Sequence, residues 1–235
     1  ALLVQLPHPW HRPDPSVSPA NAADFPRAGV VLGDLKIPPV APNMAIGLFG
    51  GSFNPAHAGH RHVAETARQQ LGLDRIIWLV SPQNPLKSKT DTAPLTERMV
   101  GVQPFTGHGD VISDFETRIK ATYTLDTLRA LKARYPGVHF LWIMGGDSLA
   151  GFHKWRGWVQ LMHMVPIAVV SRPGALMKAR FSPATQRFAR YRVDERAART
   201  LPCRKLPAWT YIKGPLHGHS STAIRRRQIS DKADQ

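Results

Sequence analysis

Gly47-Leu48-Phe49-Gly50-Gly51-Ser52-Phe53-Asn54-Pro55-Ala56-His57-Ala58-Gly59-His60 joins an apolar run to a segment of helical period. The run Met44–Phe49 is nearly all apolar, as in a strand covered on both faces of a sheet. Beyond the bend, Val63, Ala67 and Leu71 share one face, which predicts a helix from about Ala58. Gly50 and Gly51 allow a tight turn and close approach of the backbone to a ligand. The helix start turns unpaired N–H groups and the positive end of its dipole toward the same crevice, which makes it an anion site. His57 and His60 fall three apart on one face there. Both can donate to phosphate oxygens, and as imidazolium they add positive charge. The spacing is neither the dinucleotide fingerprint G-x-G-x-x-G nor the P-loop. With His62 nearby, no cysteine or carboxylate completes a zinc set, so no protein-held metal is expected.

Further short apolar runs follow at Arg75–Val80, Asp110–Ser113, His139–Met144, Pro166–Ser171 and Trp209–Lys213. Helical periods lie between them; Leu125, Leu128, Leu131 and Tyr135 share one face. This alternation predicts βαβ units in an α/β fold: a doubly wound, Rossmann-like parallel sheet. Ligands of such sheets bind beyond the carboxyl ends of the strands, where strand order reverses. Residues 1–43 carry nine of the 21 prolines and read as a disordered, Pro-rich N-terminal tail before a single domain, 44–235. The Arg-rich stretch 175–208 reads as helical.

The chain has 235 residues, 43% hydrophobic and 20% charged. That balance excludes a wholly disordered chain, and no stretch reaches the roughly 18 apolar residues of a membrane span. Cys203 is the only cysteine, which fits a reducing compartment, here the cytoplasm, and a structural role. The net charge of +15 calls for polyanionic partners: nucleic acid, anionic membrane or phosphate-rich small molecules. A basic RNA-binding protein is one reading of that charge, but no aromatic RNP-like strand or KH-like loop accompanies it, and nucleic acid is not the expected partner.

Gly50–His60 resembles the G-x-F-[DN]-P-x-H-x-G-H signature of the nucleotidyltransferase superfamily. His219-Ser220-Ser221-Thr222-Ala223-Ile224-Arg225 is similar to its second motif, [IH]-S-S-T-x-[IL]-R, physically a capped helix start aimed at an anion. Three loops after strands narrow the family: Ser81–Lys87, Gly145–Leu149 with Phe152, Trp155 and Trp158 beyond it, and Ser171–Gly174. With Thr122–Leu128 they resemble the bacterial nicotinate-nucleotide adenylyltransferases across nearly all of residues 44–228. The resemblance implies adenylyl transfer from ATP to nicotinate mononucleotide, with Mg²⁺ accompanying ATP and no membrane partner.

It further implies catalytic roles for His57, His60 and Arg225. Gly50, Gly51, Ser52, Phe53, His57, His60, Asp147, Ser221, Thr222 and Arg225 would bind ATP. Asn54, Lys87, Thr122, Tyr123, Thr124, Trp155 and Arg172 would bind the mononucleotide, with Trp155 stacking on its ring. Two departures stand out: Asn54 where Asp is more usual, and Leu86 where the loop more often has His. The phosphopantetheine adenylyltransferases are the nearest alternative, cytidylyltransferases a more distant one, and a tRNA synthetase fragment is disfavoured because Lys87-Ser88-Lys89 lies too close behind His60.

Overall fold

The computed structural model of the chain describes residues 40–82, 92–171 and 179–214. At its centre β1 (Ala45–Gly51) pairs in parallel with β2 (Arg75–Val80) on one side and β4 (His139–Gly145) on the other. With β3 (Val111–Ser113), β5 (Ile167–Val170), β6 (Arg192–Val193) and β7 (Trp209–Ile212), the described strands form one seven-stranded parallel sheet. Its order is β3-β2-β1-β4-β5-β7-β6, with every neighbouring pair parallel.

Both faces are apolar because alternate side chains point to opposite sides of a strand. On one face lie Phe49, Ile76, Trp78, Leu141, Ile143, Ala168 and Ile212. There they meet α1 (Ala58–Leu71), which buries Val63, Ala64, Ala67 and Leu71. On the other lie Ile46, Leu48, Ile77, Leu79, Trp142, Val169 and Tyr211. That face is covered by α4 (Thr124–Arg134), by α5 (Gly146–Gly151) and its 3₁₀ extension Phe152–Lys154, and by α6 (Trp158–Met164). Between these come α2 (Leu95–Val102) and the single-turn α3 (Phe115–Arg118). The expected doubly wound architecture is therefore present.

The described part of the Arg-rich stretch departs from a plain helical reading. It holds α7 (Pro183–Arg187), the strand β6, and 3₁₀ turns at Ala189–Tyr191 and Glu195–Cys203. Two residues of strand cannot display a period, so β6 left no pattern to read. Several of its arginines lie on aromatic faces, among them Arg187 on Trp158, Arg190 on Tyr191 and Arg192 on Trp209. Cys203, expected to be structural, is exposed. Ahead of β1, Val40 packs on the core and the Asn43 N–H donates to Gly137 O at 2.8 Å. No helix among the described residues is long and apolar enough to cross a membrane.

Candidate active site

Strand order reverses between β1 and β4, so the crevice falls at the turns leaving those two strands. The turn after β1 is the Gly-rich bend, and the turn after β4 is Gly145-Gly146-Asp147. A Cβ on Gly50 would lie 2.3 Å from the Trp142 indole of β4, and one on Gly51 would lie 3.0 Å from the Phe53 ring. These glycines thus make room for two aromatic rings. The unusual backbone is at Phe53 instead, a non-glycine residue at φ 45°. Such a conformation is strained and persists only where the surroundings enforce it. The Phe53 ring is buried, 5.5 Å from Phe49, 5.4 Å from Trp78 and 5.0 Å from His60.

His57 is the N-cap of α1. Its Nδ1 accepts from the Gly59 N–H at 3.0 Å, and His60 Nδ1 accepts from the His57 N–H at 3.2 Å. Two orphan donors of the helix start are satisfied reciprocally, as in a capping box. The two rings lie 3.9 Å apart, tilted by 39°. A neutral imidazole that accepts at Nδ1 carries its proton on Nε2. The cap therefore fixes both tautomers and makes Nε2–H the donating edge of each ring. Protonating Nδ1 would place a hydrogen against a backbone N–H and break the cap. In that tautomer the Nε2–H of each ring is a donor beside the start of the helix, where its dipole is positive. His57 is buried and His60 half-buried.

A residue with no sequence signal braces this turn. Arg98 of α2 is 3% exposed. Its Nε donates to Ala93 O at 2.9 Å, Nη1 to Ser52 O at 2.7 Å and to Ser81 O at 2.8 Å, and Nη2 to Pro82 O at 2.9 Å. One guanidinium thus ties the bend after β1 to the loop after β2 and to the approach to α2. Burial draws its pKa below the usual arginine value. The Asn54 side-chain oxygen accepts from the Ala93 N–H at 3.2 Å, adding a second tie between the same segments.

The second wall is the start of α4. Tyr123 is its N-cap, Thr124 its first residue, and Thr122 is exposed just before. Thr127 Oγ1 donates to Glu116 Oε1 at 3.2 Å, and Glu116 also takes a hydrogen bond from Ser81. Burial raises the Glu116 pKa, and the bonds from Ser81 and Thr127 only partly offset it. A carboxyl raised above its unfolded value adds stability that is complete below the unfolded pKa and lost as pH climbs through the folded one. Glu116→Gln keeps an acceptor for Thr127 and removes that loss. Its Tm should gain on the wild type progressively as pH climbs above the ordinary carboxylate range in thermal melts. A Tm difference that stays constant with pH would contradict this.

Of the other expected residues, Asp147 is exposed in the first turn of α5. Trp155 is partly exposed and stands edge-on to Phe152 at 5.4 Å and to Trp142 at 6.1 Å. Lys87, Arg172, Ser221, Thr222 and Arg225, and the departure at Leu86, lie outside the described residues. Among the described residues no three His, Cys, Asp or Glu side chains gather as a metal set.

A parallel sheet that reverses order beneath a histidine-capped helix start is an α/β architecture, and the profile of the cytidylyltransferase-like family matches residues 48–227. Curated relatives narrow the class. A protein of Caulobacter sp. (strain K31) named "Probable nicotinate-nucleotide adenylyltransferase" is 62% identical over 79% of this chain and 98% of its own length. Proteins of the same name from Rhizobium leguminosarum bv. trifolii and Methylorubrum extorquens (strain PA1) are 48% and 49% identical over 81% and 78% of this chain, each along its full length. The chain belongs to the nicotinate-nucleotide adenylyltransferase family. Its fold is similar to that of Plasmodium falciparum nicotinic acid mononucleotide adenylyltransferase complexed with NaAD, at TM-score 0.54 and 16% identity over 78% of this chain and 83% of that one. The same enzyme complexed with APC gives 0.51 at 15% identity, with the same coverage.

Proposed function

We propose that this chain transfers the adenylyl group of ATP to the phosphate of nicotinate mononucleotide, releasing pyrophosphate and forming nicotinate adenine dinucleotide (deamido-NAD), a step of NAD biosynthesis. The observation that carries the reading is the reciprocal histidine cap at the strand-order reversal, in a chain whose relatives bear that enzyme's name.

A phosphate oxygen of the mononucleotide attacks the α-phosphorus in line, and the bond to the bridging oxygen of pyrophosphate breaks. Little covalent work falls to the protein, so positioning and charge stabilisation are its levers. The Nε2–H edges of His57 and His60 and the first N–H groups of α1 bind the phosphates and the charge that builds on the α-phosphate. Gly50, Gly51, Ser52 and Phe53 bring the backbone against the nucleotide, with Asp147 at the ribose. Ser221, Thr222 and Arg225 hold the β- and γ-phosphates and steady the leaving group. Thr122, Tyr123, Thr124, Trp155 and Asn54 receive the mononucleotide, and Lys87 and Arg172 supply cations.

Mg²⁺ arriving with ATP would neutralise charge on the phosphate oxygens. It would keep most of its waters and ask for no protein cage; Asp147 is an exposed carboxylate just after β4. The same reading puts the reaction in the cytoplasm, where a lone exposed thiol such as Cys203 stays reduced.

The test is pyrophosphate release with Mg²⁺ and ATP across a panel of acceptors. Release is expected with nicotinate mononucleotide and not with phosphopantetheine or without acceptor. Equal turnover with phosphopantetheine, or none with any mononucleotide, would overturn the assignment.

A further inference from the structure

Arg156 stands where the acceptor's pyridine ring is placed by the proposed function, and nothing so far gives it a role. It sits in a turn closed by the Trp158 N–H donating to Trp155 O at 3.1 Å. Gly157 takes the left-handed position of that turn, at φ 69° and ψ 24°. A Cβ on Gly157 would lie 2.6 Å from Leu125 Cδ2, so the turn is pressed against the first turn of α4. That close fit carries the Arg156 guanidinium over the Tyr123 ring, with Cζ 4.6 Å from the ring centroid.

A guanidinium lying on an aromatic face keeps its N–H donors in its own plane, directed past the ring edge, where a planar carboxylate can meet them. Arg156 is exposed, and it takes part in none of the ion pairs among the described residues. The nearby acid of α4, Asp126, is engaged by Arg129 at 3.2 Å. Lys154, also exposed, adds a second cation on the same segment. The local field is therefore positive, beside the partly exposed ring of Trp155.

We propose that Arg156 is a specificity-determining residue, which selects a pyridine mononucleotide bearing a carboxylate over one bearing a carboxamide. The inference rests on the proposed function and deepens it. The pyridinium ring is positive in both acceptors. The carboxylate makes the nicotinate head neutral overall, whereas the amide leaves the nicotinamide head cationic. A guanidinium at its edge forms charge-assisted hydrogen bonds to the first and repels the second. Tyr123 holds the guanidinium in place, and Arg156 does the discriminating.

The test compares wild type, Arg156→Gln and Arg156→Lys in kcat/KM for nicotinate and nicotinamide mononucleotides, by pyrophosphate release, with a thermal melt of each protein. The wild type is expected to favour the nicotinate form. Arg156→Gln should lower the nicotinate-to-nicotinamide ratio about tenfold, chiefly through KM for the nicotinate form, as befits one charge-assisted contact. Arg156→Lys should restore part of the ratio, because it keeps the charge and loses the planar fork. An Arg156→Gln ratio within about twofold of wild type, at an unchanged Tm, would overturn the proposal. Wild-type protein inert toward both mononucleotides would overturn the proposed function itself, and this inference with it.

Discussion

His60→Ala lowers kcat for pyrophosphate release by about 100-fold or more while the protein remains folded. The ring has two separable duties. Its Nδ1 accepts from the His57 N–H at 3.2 Å, closing half of the capping box. In the proposed reaction its Nε2–H is the donor offered to phosphate; the ring is half-buried and set edge-on to Phe53 at 5.0 Å. Losing the cap contribution costs about 1 kcal/mol, too little to unfold a domain of this size. Losing the phosphate donor removes an interaction that strengthens as charge builds in the transition state. His60→Asn separates the two, because its side-chain oxygen can still accept from His57 N while the ring donor is gone. Both variants should then be slow, with the asparagine variant the more stable. Steady-state kinetics with melting curves read this directly. A kcat within about threefold of wild type in His60→Ala would confine the ring to helix capping.

Arg98→Met is the variant with the largest expected loss of stability. Methionine fills much of the same volume and makes none of the hydrogen bonds. Four carbonyls now served by one guanidinium, those of Ser52, Ser81, Pro82 and Ala93, would be stranded at a site where Arg98 is 3% exposed. Each buried acceptor left without a donor costs about 1–3 kcal/mol, less where water or a neighbour replaces it. A total of about 3–5 kcal/mol is reasonable, or about 10 °C in Tm for a chain of this length. Activity should also suffer below the melting transition, because Ser52 and Phe53 would no longer be tied to the loop after β2. Arg98→Lys should fall between, since an ammonium cannot span four acceptors at once. A Tm for Arg98→Met within about 2 °C of wild type would show that the bend holds its shape without the brace.

The architecture was legible because β1, β2 and β4 are buried on both faces and so read as unbroken apolar runs. The histidine pair was legible because it sits at a helix start a few residues after two glycines. What the glycines do was not, since the Trp142 ring that fills the space beside Gly50 comes from β4, adjacent in the sheet but far along the chain. The positive φ of Phe53 was hidden for a related reason: the neighbouring glycines were the natural place to expect it.

Arg98 and Glu116 illustrate a different limit. Arg98 reads as one more solvated cation on a helix, and its partners are main-chain carbonyls, which every residue possesses. Glu116 accepts from Ser81 and Thr127, two ordinary hydroxyls from other elements, and nothing in its neighbours along the chain marks it as buried. Arg156 lies one residue from a tryptophan that the family pattern singles out, yet its partner Tyr123 belongs to another helix. In each case the role is set by a tertiary contact with no periodicity or motif of its own.

The central claim is that the histidine-capped start of α1, beneath the bend after β1, is where the triphosphate binds. A crystal structure with a non-hydrolysable ATP analogue measures this most directly. The account predicts phosphate oxygens within about 3 Å of the Nε2 atoms of His57 and His60 and of the first amides of α1. An analogue bound elsewhere, with both rings turned away from it, would contradict it.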